Sequence, residues 1–198
     1  GGVAGKTVVL VLPKVDPVYT ALLRHGGGGR RGAVAAVGSE PAALAAYIAC
    51  ARFRPDVVVS AGTCGGIQKG RGRAPSESGA VRQGDVFVPR KCMFFERLMP
   101  TPEYQPYRRG AEYSLLDPGP LVASLGRRVG GVRSGVVGTA DSFCDDDERG
   151  RKCGVDVSDM EAAAVMRVCH MLGVPFTALK LVSDVDPAPT ALPAGGGA

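Results

Sequence analysis

The sequence predicts an α/β fold in which helices pack on a central sheet. Short runs rich in β-branched residues alternate with segments of helical apolar spacing. The strand runs are almost wholly apolar, as is typical of strands buried on both faces. The length of 198 residues fits one domain. We expect residues 1–187 to form that domain and residues 188–198 to be a tail rich in Pro and Gly.

Five apolar runs predict strands, and Val155–Val157 predicts a further short extended segment. Three of the five are followed by polar or Gly-rich segments, at Ala61–Gly66, Thr139–Phe143 and Ser183-Asp184. In α/β folds, ligands bind beyond the carboxyl ends of strands, so we expect these segments to converge on a site. The five runs are Thr7–Leu12, Asp56–Ser60, Asp85–Pro89, Val132–Val137 and Phe176–Val182.

The first predicted helix begins at Gly38-Ser39-Glu40-Pro41, with Ser39 as the cap and Pro41 in the first turn. It ends near Phe53, before Pro55. Its apolar face is predicted from helical spacing. That face contains Leu44, Ile48 and Ala51.

The second predicted helix covers Met160–Leu172, and Gly173-Val174-Pro175 ends it. Its predicted apolar face contains Met160, Ala164, Val168 and Leu172. Loops are predicted between the elements, and Tyr104–Leu116 is left unassigned. These loops are His25–Gly32, Lys69–Gln83 and the charged segment Asp145–Gly154.

Composition excludes several classes of protein. No apolar run approaches the length of a membrane-spanning helix. The net charge of +5 is small for a nucleic-acid binder, and the basic clusters lack aromatic residues for base stacking. The six cysteines form no C-x-x-C pair, and only two histidines are present, so a zinc site is not supported. We expect reduced thiols and an intracellular protein. The expected compartment is the cytoplasm, and an organelle stays an alternative.

Several catalytic motifs are absent. The sequence has no G-x-S-x-G elbow, no complete Walker loop and no G-x-G-x-x-G fingerprint. What remains is a set of carboxylates: Asp159 and Glu161 flank Met160, and Asp184 follows the last strand. Acids at a helix start can serve the helix dipole alone, so the residues by themselves leave a structural and a catalytic role open.

The ordered motifs resemble those of the nucleoside phosphorylase/nucleosidase family. The resemblance covers about Ala33 to Pro187 and is closest to the 5′-methylthioadenosine/S-adenosylhomocysteine nucleosidases, in their plant-like branch. It implies a three-layer αβα phosphorylase/hydrolase-like fold with a central mixed sheet. The motifs are V-S-A-G-T-C-G-G-I (Val59–Ile67), G-D-V-F-V-P (Gly84–Pro89), G-T-A-D-S-F (Gly138–Phe143), V-S-D-M-E-A-A-A-V (Val157–Val165) and V-P-F…V-S-D-V-D (Val174–Asp186).

The resemblance implies three catalytic roles. Asp184, set by Ser183, would protonate N7 of adenine, because a purine leaves best as a neutral base. Such an acid needs a raised pKa from partial burial. Glu161 would accept hydrogen bonds from the ribose hydroxyls and favour the developing ribosyl cation.

The resemblance also implies the substrate-binding residues. Met160 would lie against the sugar, Phe143 would stack on adenine, and backbone groups near Cys144 would read the edge of the base. Thr63, Cys64 and Gly65 would form the floor of the pocket. The resemblance implies no metal and no organic cofactor. A homodimer is expected, because a neighbouring subunit usually closes the site in this family.

Hydrolysis is preferred to phosphorolysis because Ser60 occupies the position where several phosphorylases carry an Arg, whose planar group suits oxyanions. Backbone N–H groups of Gly62–Gly66 could still bind an anion, so a purine or uridine phosphorylase stays an alternative. The family's water-activating Glu has no match upstream of Glu40, and its C-terminal helix is replaced by the tail. We therefore expect a chain shortened at both ends, and a catalytically silent nucleoside-binding or storage-type member is a further alternative.

Overall fold

The computed structural model describes residues 7–11, 36–68, 80–97, 101–104, 116–142 and 148–185. The helices are α1 (Ser39–Phe53), α2 (Pro118–Gly126), α3 (Glu148–Cys153) and α4 (Ala162–Met171), with a 3₁₀ turn at Pro102–Tyr104. The strands are β1 (Val58–Gly66), β2 (Val86–Phe94), β3 (Val132–Thr139), β4 (Val157–Asp159) and β5 (Phe176–Val185).

The described strands form one mixed sheet that closes on itself in the order β1-β4-β3-β2-β5. β1 runs parallel to β5, β2 runs parallel to β3, and β3 runs parallel to β4. β1 is antiparallel to β4, and β2 is antiparallel to β5. The predicted α/β fold with a mixed sheet is confirmed.

Two strands extend further than the sequence predicted. The Gly-rich segment Ala61–Gly66 was expected to form a turn after the strand Asp56–Ser60, but it continues β1, and Ser183-Asp184 continues β5. Glycine makes this possible because neighbouring side chains come close to the β1 backbone. A Cβ on Gly66 would lie 3.1 Å from side-chain carbons of both Val81 and Val185. The predicted turn is thus a strand with closely packed glycines.

The bounds of α1 confirm the predicted helix, but its cap and its buried face differ. The N-cap residue is Gly38, which has no side chain that could cap the helix. The predicted apolar face points outward: Leu44 is 60% exposed and Ile48 is 53% exposed. Ala51 is exposed as well. The buried positions are instead Ser39, Ala46 and Cys50.

α4 shows the same kind of shift. The helix begins at Ala162, after Met160, and Leu172 at its C-cap is exposed. Its buried residues are Ala162, Ala163, Ala164, Met166 and Cys169. α1 packs against α4, and Cys50 and Cys169 belong to the same buried cluster. Small side chains let the two helices approach closely, so they and not the larger apolar residues occupy the contact.

Other predictions are wrong or lie outside the described residues. Thr7–Val11 of the first predicted strand forms no strand, and its side chains are exposed, because no other described strand pairs with it. The predicted charged loop contains α3 instead. α2 was not predicted; Asp117 caps it by accepting a hydrogen bond from Gly119 N at 3.0 Å. Among the predicted loops and the tail, three segments lie outside the described residues: His25–Gly32, most of Lys69–Gln83, and Pro187–Ala198.

The main core lies between the sheet and the α1–α4 pair. Phe87, Val137, Val157 and Phe176 are fully buried there. A second cluster forms around Phe95 and Val155, near the end of β2. Among the described helices, none combines the length and the apolar character needed to cross a membrane.

Candidate functional site

Four of the sequence motifs meet on a single row of the sheet. Asp184 of β5 is paired with Gly65 of β1, which is paired with Ser158 of β4, which is paired with Gly138 of β3. These four strands are neighbours in the closed sheet, so their pairing brings the four positions together although the strands do not all run in one direction. The predicted convergence of the strand-end segments is therefore present as backbone pairing.

Asp184 lies on this row because β5 contains an irregularity. Cys64 pairs with Val182, but Gly65 pairs with Asp184, so Ser183 is left without a partner in the ladder. Such a bulge redirects the side chains that follow it. A Cβ on Gly65 would lie 3.5 Å from Oδ2 of Asp184, which shows how closely the carboxylate approaches the glycine.

Ser183 orients the Asp184 carboxylate. The Ser183 hydroxyl lies 2.5 Å from Oδ1 of Asp184 and 3.2 Å from the carbonyl oxygen of Cys64, and it can donate to either. Both Ser183 and Asp184 are exposed, so the partial burial that was expected of the Asp184 acid is not present in this chain. The arrangement gives an accessible carboxyl group, held at one oxygen and open at the other. Such a group can exchange a proton with a bound molecule.

Glu161 lies two residues after the end of β4 and is the N-cap residue of α4. Its Oε1 accepts a hydrogen bond from Gly38 N at 3.3 Å, at the start of α1. Oδ1 of Asp141 accepts from Ser39 N at 2.7 Å in the same place. Gly38 has a φ of 109°, which is unfavourable for residues with a side chain. Two carboxylates from distant parts of the chain thus provide the α1 cap that Ser39 was expected to provide.

A buried ion pair lies next to Glu161. Lys180 Nζ is 2.7 Å from Oδ2 of Asp159, and the two side chains are 2% and 0% exposed. Oδ1 of Asp159 accepts from the Thr139 hydroxyl at 2.6 Å, and Oδ2 accepts from Ala162 N at 2.9 Å. The Thr139 oxygen in turn accepts from Ala163 N at 2.9 Å. This network caps α4, so the structure gives Asp159 a structural role, one of the two roles that the sequence left open.

The three predicted floor residues of β1 do not share one environment. Cys64 is buried in the main core, and Gly65 lies beside Asp184 and Ser158. Thr63 is exposed, and side chains alternate between the faces of a strand, so Thr63 and Cys64 point to opposite sides. Burial, with a further contribution from the Asp159 charge, raises the pKa of Cys64 to about 12. The thiol is therefore neutral near pH 7 and provides no anion.

The predicted adenine-binding residues, Phe143 and Cys144, lie outside the described residues, but the segment before them is held in place. Glu96, just after β2, accepts hydrogen bonds from Asp141 N at 3.2 Å and from the Ser142 hydroxyl. Met160, the predicted sugar contact, is half-buried between Asp159 and Glu161.

Sequence reasoning missed Lys180 and Glu96 as parts of the site. A lysine inside the apolar run F-T-A-L-K-L-V was a usable signal, because a buried charge is costly unless it is paired. Glu96 carries no comparable signal, since acids after strands are common in loops. In the part of the chain that the structure describes, no group of three or more His, Cys, Asp or Glu residues could hold a metal ion.

Comparison with known proteins agrees with this architecture. A sequence profile described as the Phosphorylase superfamily matches residues 1–193. The chain is 30% identical over 150 residues to a 5′-methylthioadenosine nucleosidase of Arabidopsis thaliana, covering 75% of this chain and 51% of the relative. It is 32% identical over 152 residues to a 5′-methylthioadenosine/S-adenosylhomocysteine nucleosidase of the same plant, covering 77% and 55%. The chain spans about half the length of these curated relatives.

Solved structures give the same result. The apo structure of Arabidopsis thaliana 5′-methylthioadenosine nucleosidase superposes with a TM-score of 0.64 at 28% identity, covering 83% of this chain and 64% of that one. A nucleosidase from Colwellia psychrerythraea, solved with adenine, superposes with a TM-score of 0.58. Its identity of 22% supports the fold alone; it covers 76% of this chain and 63% of that one.

Proposed function

Because the chain belongs to the Phosphorylase superfamily, we propose that it is a purine nucleosidase. It would hydrolyse the N-glycosidic bond of 5′-methylthioadenosine to adenine and methylthioribose, in methionine salvage and nucleoside catabolism. S-adenosylhomocysteine is a second substrate of the same chemistry. The observation that carries the proposal is the row that brings Asp184, Gly65 and Ser158 together, with Glu161 three residues beyond Ser158.

The proposed chemistry assigns the leaving group to Asp184. Its carboxyl group would protonate N7 of adenine, so that the C1′–N9 bond breaks and the base leaves as neutral adenine. A water molecule would add to C1′ of the resulting ribosyl cation and release a proton to the solvent, and the Asp184 carboxylate would take up a proton from the solvent for the next turnover. The Ser183 hydroxyl, 2.5 Å from Oδ1, would keep the other oxygen of Asp184 directed at the base.

Glu161 would act on the sugar. A ribose with two hydroxyl groups can replace Gly38 N–H, now 3.3 Å from Oε1, as the donor to this carboxylate. As the ribosyl ring becomes positive, the nearby negative charge stabilises it more than it stabilises the substrate. Met160 would cover the sugar from the neighbouring position, and Phe143 and Cys144 would bind adenine.

A specific observation bears on the choice between water and phosphate. Lys180 is the cation that packs against Gly62 of β1: a Cβ there would lie 3.5 Å from its Nζ. Asp159 neutralises this cation at 2.7 Å, and Ser60 offers no positive charge. Of these two described residues, Lys180 and Ser60, neither supplies an unpaired cation beside Gly62–Gly66 for a phosphate group, and this favours water as the nucleophile. A purine or uridine phosphorylase is the second candidate.

The test is adenine release from 5′-methylthioadenosine by the purified chain, with and without phosphate. We expect release in phosphate-free buffer, unchanged by added phosphate, with methylthioribose as the second product. Release that requires phosphate and yields the sugar 1-phosphate would establish the phosphorylase instead. Binding of the nucleoside with no release in either buffer would establish the silent, ligand-binding alternative.

The proposed functional unit is a homodimer formed through α1. The outward face of α1 carries Leu44, Tyr47 and Ile48, each more than half exposed and spaced as one helical stripe. Replacing Leu44 by Glu would place a charge in this interface. Sedimentation should show a dimer for the parent and a monomer for L44E. A matched substitution at the exposed Met171 should leave the dimer intact.

The cysteines support a reducing compartment, such as the cytoplasm, for this activity. All the described cysteines are free thiols, and four of the five are buried. Burial also raises the pKa of Cys169 to about 12, so this thiol stays protonated. Protonated, buried thiols contribute to packing and not to chemistry.

A further inference from the structure

The stability of the fold alone does not require the buried ion pair between Lys180 and Asp159. Removing two charges from water is costly, and an apolar pair of similar size is often equally stable or more stable. Both side chains are almost completely buried, at 2% and 0% exposure, 2.7 Å apart. We therefore look for the role of this ion pair in the backbone segment whose position it fixes.

The pair and its hydrogen bonds surround one residue, Glu161. Asp159 lies two residues before Glu161, and its Oδ2 accepts from the amide of Ala162, one residue after it. The Thr139 oxygen accepts from the amide of Ala163, two residues after it. Glu161 itself has a φ of −136° and a ψ of −37°, outside both strand and helix. The segment is therefore fixed on both sides of the residue that must face the sugar.

The network also connects this segment to the strand of the proposed acid. Lys180 and Asp184 both belong to β5, Thr139 ends β3, and Asp159 ends β4. An ion pair from β5 to β4 fixes the base of Glu161 relative to the strand that carries Asp184. A transition state that contacts both carboxylates depends on this relative position.

We propose that Lys180, Asp159 and Thr139 are positioning residues that hold Glu161 at the distance from Asp184 that glycosidic cleavage requires. This inference rests on the proposed function. None of the three touches the reacting atoms. Lys180 compensates the Asp159 charge, Asp159 and Thr139 bind the two amides, and the amides fix Glu161.

The test replaces the pair by apolar residues, Asp159→Leu together with Lys180→Met. The Ala162 amide and the Thr139 hydroxyl lose their acceptor, but no unpaired buried charge remains, so the fold should persist. The matched control is Asp85→Leu together with Arg133→Met, which removes the ion pair at the starts of β2 and β3. Asp85 also accepts a hydrogen bond from Arg82 N at 2.9 Å, so the control variant, like the test variant, loses a hydrogen bond to a backbone amide. In the control, this amide is far from Glu161 in the sequence.

Two readouts separate positioning from simple stability. Amide hydrogen exchange at Ala162 and Ala163 should accelerate at least tenfold in the D159L/K180M variant and stay at the parent rate in the control. The value of kcat for adenine release should fall about 100-fold, the scale of a misplaced catalytic group. KM should change less than kcat, and the control should keep the parent kcat.

Parent-like kcat in a folded D159L/K180M variant would overturn the proposal, as would unchanged exchange at both amides. If that variant does not fold, Thr139→Val against Thr139→Ser decides, because only serine retains the hydroxyl; equal kcat in the two would overturn the proposal. Absence of adenine release from the parent would reject the proposed function. The exchange rates would then still decide whether the network fixes the Glu161 segment.

Discussion

The two helices that pack together, α1 and α4, both receive their N-terminal caps from other elements, but the two caps differ in kind. At α4, Asp159 and Thr139 are fully buried, and Lys180 neutralises Asp159. At α1, the carboxylates are Asp141, which is exposed, and Glu161, which is half-buried.

The difference separates a permanent cap from one that a ligand can replace. Breaking the α4 cap would leave a buried charge and unpaired amides, which costs several kcal/mol. The bond from Gly38 N to Glu161 is longer, at 3.3 Å, and is only partly buried. Under the proposed function, Glu161 can exchange Gly38 for sugar hydroxyls while Asp141 keeps α1 capped.

The largest effect is expected for Glu161→Gln. The amide keeps an acceptor oxygen for Gly38 N–H but loses the negative charge that, under the proposed function, favours the ribosyl cation. We expect kcat to fall by about 10²–10³-fold, as for loss of a single electrostatic contact in a transition state. The melting temperature should change little. Asp141→Asn, which removes a charge from the same helix end, is the control and should keep most of the activity. A fall in affinity alone would make Glu161 a binding residue.

A smaller effect, on stability, is expected for Thr139→Val at the α4 cap. Valine fits the same volume but leaves Ala163 N–H buried without an acceptor. The free energy of unfolding should fall by about 1–3 kcal/mol, the cost of an unsatisfied buried group. Urea unfolding measures this, with Thr139→Ser as the control that retains the hydroxyl. Equal stability of the two variants would mean that the hydroxyl does not cap α4.

At the α1 cap, Asp141→Ala removes the acceptor for Ser39 N–H. The expected loss is about 0.5–2 kcal/mol in the free energy of unfolding, the range for helix caps. It should be smaller than the Thr139→Val effect because water can reach this helix end. The same urea titration tests the order of the two. A larger loss at Asp141 than at Thr139 would reverse the comparison.

The smallest effect is expected for Ser39→Ala. The Ser39 hydroxyl is buried and forms no hydrogen bond, so its removal leaves no partner unsatisfied. We expect a change within about 0.5 kcal/mol, below the usual cost of losing a serine cap. A loss above 1 kcal/mol would show that Ser39 caps α1 after all, as its sequence position suggested.

Helix α1 shows which structural features can be predicted from the sequence pattern alone. Pro41 and Pro55 delimit α1 well because proline acts locally on the backbone. The choice of buried face depends on the partner helix, so Leu44 and Ile48 were assigned to the wrong side. The cap was misassigned for the same reason, since Asp141 and Glu161 approach from far along the chain.

The candidate site shows the same difference between features that local sequence predicts and features that depend on distant residues. The ordered motifs led to Asp184, Ser183 and Glu161, and the row from Asp184 to Gly138 joins the segments that carry them. The Lys180–Asp159 pair needed the structure, because the pairing of β1 with both β5 and β4 brings these two residues to 2.7 Å from each other. The roles of all the predicted site residues, including Phe143, Cys144 and Thr63, stay predictions.

The most direct test of the central claim is adenine release from 5′-methylthioadenosine by the parent chain and by Asp184→Asn in phosphate-free buffer. Asparagine preserves the shape of the side chain and cannot donate the acid proton to N7. We predict release by the parent and none detectable from a folded D184N variant. Turnover by D184N within tenfold of the parent, a barrier difference of about 1.4 kcal/mol, would contradict the assignment of Asp184 as the acid.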